Sequence, residues 1–425
     1  MVGTVIREKT VFEVLKERGF IEKVTDEEKL PELLRGKVTC YIGFDPTASS
    51  FHVGSLVPIM SLAHMQRHGH QPIALVGGGT GLIGDPSGKD EMRQILTYEE
   101  IDKNAEAQKK QFAQFLDFSD NRALLLNNAA WLTKLNYIDF LRDIGVHFSV
   151  NRMLATESVK IRLGTGLSFI EFNYQLLQAY DFWHLFKYHN CLIQMGGSDQ
   201  WGNIVAGIDL IRRLEGKEAY GITFPLIMTA DGRKMGKTEK GAVWLDPQRT
   251  SPYEYYQFWI NTDDRDVERF LALFTFLPME EIKEKYGKLE GADLREAKDE
   301  LAYRATEIVH GKEEAEKARA ASRNIFGRGK FEIPSPEMEG EGIPTAYVPI
   351  ERLHEQIPAF KLFSETASLC ASGSEARRLI EQGGAYINDK KVERFDDLIK
   401  LEDNMKLRAG KKKFKRIKIL DKNLK

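Results

Sequence analysis

Residues 41–55 read YIGFDPTASSFHVGS, and the rest of the chain is organised around them. The apolar run VTCYIGF ends in Asp45-Pro46. Proline cannot donate to a sheet ladder, so the pair stops a strand. Ser55 follows ten residues after Asp45 and opens onto LVPIMSLAHM, an apolar pattern of helical character. A strand therefore feeds a loop that carries His52, and the loop feeds a helix N-terminus. Unsatisfied N–H groups and the helix dipole make such a terminus favourable for phosphate. An ordinary strand-to-helix loop with one surface histidine satisfies the same residues. This stretch therefore fixes a local fold before it fixes a function.

The chain has 425 residues, too many for one compact core, so two or three domains are expected. With 42% hydrophobic and 29% charged residues it has the balance of an ordinary soluble protein. Cys40, Cys191 and Cys370 lie far apart with no CxxC pair. That argues against a thiolate zinc site and a disulfide framework, predicts no resident metal, and fits a reducing cytoplasm. The N-terminus has no apolar signal core, and no stretch is long enough to span a bilayer, so no membrane partner is expected. The net charge of −2 hides an asymmetry. Residues 405–425 hold ten Lys/Arg against one Asp, or +9, which leaves −11 on the first 404 residues. A basic end on an acidic body predicts a polyanion partner. Within that end, FKRIKIL alternates like a strand.

In chain order, residues 10–18 read as a short helix stopped by Gly19. A second strand, residues 72–76, leads into GGGTGLIGDPSGKD. Gly79-x-Gly81-x-x-Gly84 matches the dinucleotide-binding fingerprint literally, but that fingerprint needs a helix opening directly from the glycines. Here Asp85-Pro86-Ser87-Gly88 intervenes, and the next helical pattern starts near Thr97. A P-loop fails as well, because Ile83 stands where its first glycine belongs. The glycines are better suited to letting backbone approach a ligand closely, with Asp85 presented from the loop.

Strand and helix patterns alternate up to Asn190, as in a parallel α/β domain. In the helix EFNYQLLQAYDFWH, residues 171–184, Tyr174, Gln178 and Asp181 are spaced i, i+4, i+7. They fall within about 60° of one another on one face. Leu176, Leu177, Phe182 and Trp183 cover the other faces. A Tyr-Gln-Asp stripe is either a solvent face or the lining of a pocket, and its poverty in Lys and Glu favours the pocket. CLIQMGGSDQWGN then reads as a strand, a Gly-Gly turn and an Asp-Gln pair. This puts Gly197, Asp199 and Gln200 at a strand's C-terminal end, where open α/β sheets bind ligands. Asp231-Gly232 is a turn signal. Beyond it Lys234 and Lys237 flank a glycine in a small basic loop, KMGKT. From residue 251 to 327 the pattern is helical. Residues 331–345 are rich in Pro, Gly and Glu and read as a linker. The remainder combines a helix at 374–382, carrying Arg377 and Arg378, with a hairpin and the basic run Lys411, Lys412 and Lys413. A phosphate-contacting surface fits it.

Several of these stretches share wording with one family. GFDPT-x4-HxG resembles the HIGH region of class I aminoacyl-tRNA synthetases in its tyrosine-specific form, with Ser55 where the family usually has a second histidine. GGxTGLIGDPSG resembles the same enzymes. KMGKT is similar to their KMSKS loop and to its tyrosyl variant KFGKT, and residues 374–392 resemble the S4 RNA-binding fold. The resemblance covers nearly the whole chain and points to the bacterial-type tyrosyl-tRNA synthetases. It implies a Rossmann-like parallel-sheet catalytic domain (1–245), an α-helical anticodon-side domain (246–330), a linker (331–345) and a small α+β S4-like domain (346–425). The implied reaction activates L-tyrosine with ATP and Mg2+, with no tightly bound cofactor, and passes it to tRNA(Tyr). A homodimer is also implied.

The implied roles follow the matching positions. Tyr41, Asp85, Tyr174, Gln178, Asp181 and Gln200 hold tyrosine, with Asp85 on its α-ammonium. Asp45, His52, Ser55, Gly197, Asp199 and Lys237 hold ATP, with Asp199 on the ribose. His52, Thr47, Lys89, Arg93, Lys234 and Lys237 serve the transition state. Arg377, Arg378, Lys411, Lys412 and Lys413 meet RNA. Tyr41 and Asp181 are expected to converge on the substrate hydroxyl, the carboxylate accepting its hydrogen and the phenol donating to its oxygen. Three rivals remain: a tryptophanyl enzyme, a nicotinamide oxidoreductase built on the glycine fingerprint, and a non-catalytic S4-type RNA-binding protein.

Overall fold

The structure is a computed structural model. It describes residues 9–87, 96–164, 166–232, 235–238, 241–289, 291–326, 345–410 and 413–420. Two compact units emerge, one of residues 1–250 with 258–309 and one of residues 251–257 with 310–425.

The first unit is built on a six-stranded sheet. Its strands are β1 (Lys23–Val24), β2 (Thr39–Phe44), β3 (Gln71–Val76), β4 (Leu124–Asn127), β5 (Cys191–Gly197) and β6 (Tyr220–Phe224), in the spatial order β1-β6-β5-β2-β3-β4. All neighbours are parallel except β1, which runs against β6. Five of the six β2 residues are buried, as expected of a strand covered on both faces. The chain winds from β2 through β3 to β4 on one side, then returns to place β5 and β6 on the other. The order therefore reverses between β2 and β5. A crevice opens at such a reversal, outside the carboxyl ends of the strands.

Local signals set most helix boundaries. The helix Val11–Glu17 starts at Thr10 with a capping box to Glu13 and ends before Gly19. A 3-10 turn at Val53–Ser55 precedes the helix Leu56–Arg67. Of the three glycines at 79, 81 and 84, the first precedes a single 3-10 turn, Thr80–Leu82, the second lies within it and the third follows it. The helix Tyr98–Phe112 begins at the Thr97 capping box, so the dinucleotide geometry does not form. The Gly-Gly turn expected after β5 is corrected: Gly196 and Gly197 pair with Thr223 and Phe224 inside the strand, and the chain turns only at Ser198–Gln200.

The helices Phe169–His189 and Trp201–Glu215 pack closely, and Gly207 permits the approach. A Cβ there would sit 2.8 Å from Cδ1 of Phe182. At its N-terminus the first of these helices is capped by Ser168, and Glu171 forms a buried ion pair with Arg162 at 2.9 Å. Two short strands, β7 (Lys237–Thr238) and β8 (Gly241–Ala242), pair in antiparallel register. Among the described residues no helix is long and apolar enough to cross a membrane.

The second unit contains a five-stranded sheet. Its strands are β9 (Thr345–Pro349), β11 (Ala385–Ile387), β12 (Lys390–Lys391), β14 (Met405–Ala409) and β15 (Lys413–Leu420), in the order β12-β11-β14-β15-β9. Only β9 runs parallel to its neighbour. A separate pair joins β10 (Gln356–Pro358) to β13 (Leu398–Lys400). The helix Gly373–Glu381, capped by Ser372, packs Ala376 and Ile380 into a core with Leu362, Phe363, Leu407 and Ile417. Asn388 and Asp389, both at positive φ, make the tight turn between β11 and β12.

Candidate active site

The carboxyl ends of β2, β3, β4 and β5 each deliver polar side chains to the crevice at the strand-order reversal. Asp45 leaves β2 and accepts from Oγ1 of Thr80 at 2.8 Å and from the phenol of Tyr174 at 3.0 Å. Asn128, one residue past β4, is a hub. Its Nδ2 donates to Thr80 Oγ1 at 3.0 Å and to Asp181 Oδ2 at 2.8 Å, and its Oδ1 accepts from the Gly79 amide at 2.7 Å. Trp131 donates its indole N–H to Asp181 Oδ1 at 2.7 Å. Asp85 accepts from the Ser87 amide at 2.9 Å and from Nε2 of Gln200 at 2.7 Å. Gln200 in turn accepts from Gln178 at 3.2 Å and from Asn203 at 3.1 Å, and Asn203 also donates to Gln178 at 2.9 Å. Asp199 receives the second Gln200 hydrogen at 3.3 Å.

The stripe Tyr174, Gln178, Asp181 thus faces this network and not solvent; Tyr174 and Asp181 are buried. Asp181 is pushed up to about 7. Burial is the main cause, opposed by the Asn128 and Trp131 donors and assisted by the charge of Asp45. Tyr41, also buried, packs its ring at a tilt against Phe182, with centroids 5.4 Å apart. Its hydroxyl has no hydrogen-bond partner among the described residues. Burial, then the nearby Asp181 charge, hold that phenol well above its usual range. A buried donor left open beside a carboxylate is a costly arrangement unless a ligand completes it.

His52 caps the 3-10 turn, its Nδ1 accepting from the Gly54 amide at 3.0 Å. That bond places the ring proton of a neutral His52 on Nε2, so the imidazole is a donor away from the backbone. The ring lies edge-on to Trp244 at 6.0 Å, and His52 bridges to Trp244 in antiparallel register. Amides exchanged between residues 51–53 and 243–245 zip the two segments together. Gly236 adopts φ +80, and a Cβ on it would lie 2.8 Å from the Gly54 nitrogen. The two signature segments, HVG and KMG, therefore touch through glycine backbone.

Other sequence candidates are placed more simply. Thr47 is exposed, with its amide on the Asp45 carbonyl, and Ser55 is half-buried at the start of the 56–67 helix. Lys237 belongs to β7, so part of the expected basic loop is hairpin. Lys89, Arg93, Lys234, Lys411 and Lys412 lie outside the described residues. In the second unit Arg377 is exposed and stacks over Phe360 at 4.2 Å, Arg378 is exposed, and Lys413 pairs with Glu375 at 3.5 Å. Sequence reasoning missed Thr80, Asn128, Trp131 and Asn203. The rule that ligands gather at the carboxyl ends of strands would have pointed to Asn128, had β4 been located first.

Comparison with known proteins bears on the whole chain. Residues 34–327 match the family of tRNA synthetases class I (W and Y). The chain is 59% identical to the tyrosine–tRNA ligase of Desulfatibacillum aliphaticivorans, over 97% of this chain and 99% of that protein. It is 58% identical to the tyrosine–tRNA ligase of Syntrophus aciditrophicus, over 97% and 99%. Among solved structures, a C-terminally truncated mitochondrial tyrosyl-tRNA synthetase from Aspergillus nidulans is similar with a TM-score of 0.67 and 34% identity, covering 75% of this chain and 95% of that one. The chain belongs to the class I tRNA synthetases and, within them, to the tyrosine–tRNA ligase family.

Proposed function

We propose that the protein activates L-tyrosine with ATP to tyrosyl-adenylate, releasing pyrophosphate, and then transfers tyrosine to the 3′ end of tRNA(Tyr). The observation that carries the assignment is the open, buried Tyr41 hydroxyl within electrostatic reach of the buried Asp181 carboxyl. A substrate phenol would donate to Asp181 and accept from Tyr41, completing both. Indole, the tryptophan side chain, offers a donor but no acceptor, and would leave Tyr41 open.

In this reading Asp85, Tyr174, Gln178 and Gln200 hold the amino-acid end of the substrate, and Asp45, Gly197 and Asp199 hold the nucleotide. The tyrosine carboxylate attacks the α-phosphorus in line. One oxygen–phosphorus bond forms as the α–β bridging bond breaks, and pyrophosphate leaves. Catalysis is then positioning plus charge stabilisation. His52, Thr47, Ser55, Lys89, Arg93, Lys234 and Lys237 are the groups assigned to the phosphates. Mg2+ arrives with ATP, held by its phosphates. Among the described residues no cluster of three His, Cys, Asp or Glu stands ready to cage a metal.

Residues 346–425, S4-like in this reading, contact tRNA together with residues 246–330. Arg377, Arg378 and Lys411 to Lys413 supply charge for it. Exposed Ile138, Val146, Val150, Ile161, Leu163 and Phe169, all between residues 138 and 169 of the first unit, support a homodimer. The cytoplasm is the expected compartment. The deciding experiment is ATP–pyrophosphate exchange across a panel of amino acids. Exchange should require tyrosine; exchange driven by tryptophan, or by no amino acid, would overturn the assignment.

A further inference from the structure

We propose that His184 is a positioning residue for the discrimination of tyrosine from phenylalanine, acting through the indole of Trp131 on Asp181. The inference rests on Asp181 accepting the substrate hydroxyl. His184 stacks on Trp131 with ring centroids 4.2 Å apart and planes inclined by 16°. The same indole donates its N–H to Asp181 Oδ1 at 2.7 Å. Asp181 and His184 are three residues apart on the helix Phe169–His189, so they share a face. One helix therefore grips the indole twice, Asp181 at its edge and His184 on its flat face.

This double grip matters because Trp131 sits on a helix of only four residues, Ala129–Leu132, whose N-cap residue Asn128 turns its side chain to Thr80, Gly79 and Asp181 and gives no cap bond to the helix backbone. Its backbone alone does not fix the ring plane. Tyr188 packs against His184 at 4.6 Å and backs the stack. Trp131 and Asn128 each occupy one carboxylate oxygen of Asp181. The remaining lone pairs, which a substrate hydroxyl would meet, then point where these two donors set them. Only a substrate with a hydroxyl senses that orientation. Loss of the stack should therefore penalise tyrosine and leave phenylalanine untouched.

The test compares wild type with His184→Ala, His184→Gln and His184→Phe, with Asp181→Asn as a control, in pyrophosphate exchange with tyrosine and with phenylalanine. His184→Ala and His184→Gln should each lower the tyrosine-to-phenylalanine ratio of kcat/KM about five-fold, the worth of one stacked pair or one hydrogen bond. His184→Phe, which keeps a flat ring, should stay within about two-fold of wild type. The KM for ATP should not change in any of the three. An unchanged ratio in His184→Ala and His184→Gln overturns the proposal, as does an equal loss in His184→Phe or a matching rise in the KM for ATP. If Asp181→Asn also leaves the ratio unchanged, the hydroxyl is read elsewhere and the underlying assignment fails. If Asp181→Asn collapses the ratio while the His184 variants do not, the role of His184 alone fails.

Discussion

The phenol of Tyr174 donates to Oδ2 of Asp45 at 3.0 Å, joining the helix Phe169–His189 to the end of β2 across 129 residues of sequence. The bond spans the two halves of the crevice, the side proposed for tyrosine and the side proposed for ATP. Tyr174→Phe removes it while keeping the ring. A hydrogen bond to a charged group is worth about 1.5–3 kcal/mol, so tyrosine binding should weaken at least ten-fold. Equilibrium dialysis with labelled tyrosine checks this; unaltered affinity would mean that the phenol only braces the fold.

Asp181 predicts a pH limb. Burial raises its carboxyl to about 7, so it takes up a proton as pH falls through that value. Both of its oxygens already accept from N–H donors, and an added proton would take one of the remaining lone pairs that the substrate hydroxyl needs. The kcat/KM for tyrosine should therefore decline below about pH 7, while that for phenylalanine lacks this limb. Asn128→Ala removes a donor that lowers the pKa, and should move the limb to higher pH. A limb that stays in place in Asn128→Ala would assign it to another group.

His52 should matter more to activation than Ser55, because an imidazole reaches farther than a short hydroxyl. Its Nε2 is the donor, since Nδ1 is taken by the Gly54 amide. His52→Ala should slow adenylate formation roughly 10²-fold, the usual cost of one transition-state donor. Pre-steady-state kinetics in which Ser55→Ala is the more damaging change would reverse the ranking.

Gly207 is a packing test of the pocket wall. A side chain there meets Phe182, whose ring supports Tyr41. Gly207→Val should cost about 1–3 kcal/mol of stability, as overpacking does. It should also weaken tyrosine binding more than ATP binding. Urea denaturation and the two binding constants measure both effects, and equal losses for the two substrates would refute the link to Tyr41.

Removing residues after Glu341 should spare pyrophosphate exchange and cripple transfer to tRNA. The motivation is the +9 charge of residues 405–425. In the full chain, tRNA affinity should fall steeply with salt. Full transfer activity in the truncated protein would exclude a tRNA role for this region.

The sequence by itself determined the features that depend on neighbours in the chain. The stop of β2 at Asp45-Pro46 was legible in it, as were the helix starts near Thr10 and Thr97 and the common face of Tyr174, Gln178 and Asp181. So was the hairpin that Asn388 and Asp389 turn. Each follows from dihedral preference, helical period or a side chain reaching backbone three residues away. Tertiary structure alone decided what those residues meet. Asn128 and Trp131 are 53 and 50 residues from Asp181 and carry no local signature of a donor. Only the order β5-β2-β3-β4 brings them to it. Gly196 and Gly197 read as a turn because glycine often makes one, yet pairing with β6 keeps them extended. The contact of Gly236 with Gly54 and the raised pKa of Asp181 likewise depend on what is packed around each group. Burial and partner geometry are properties of the folded chain, and no run of adjacent residues encodes them.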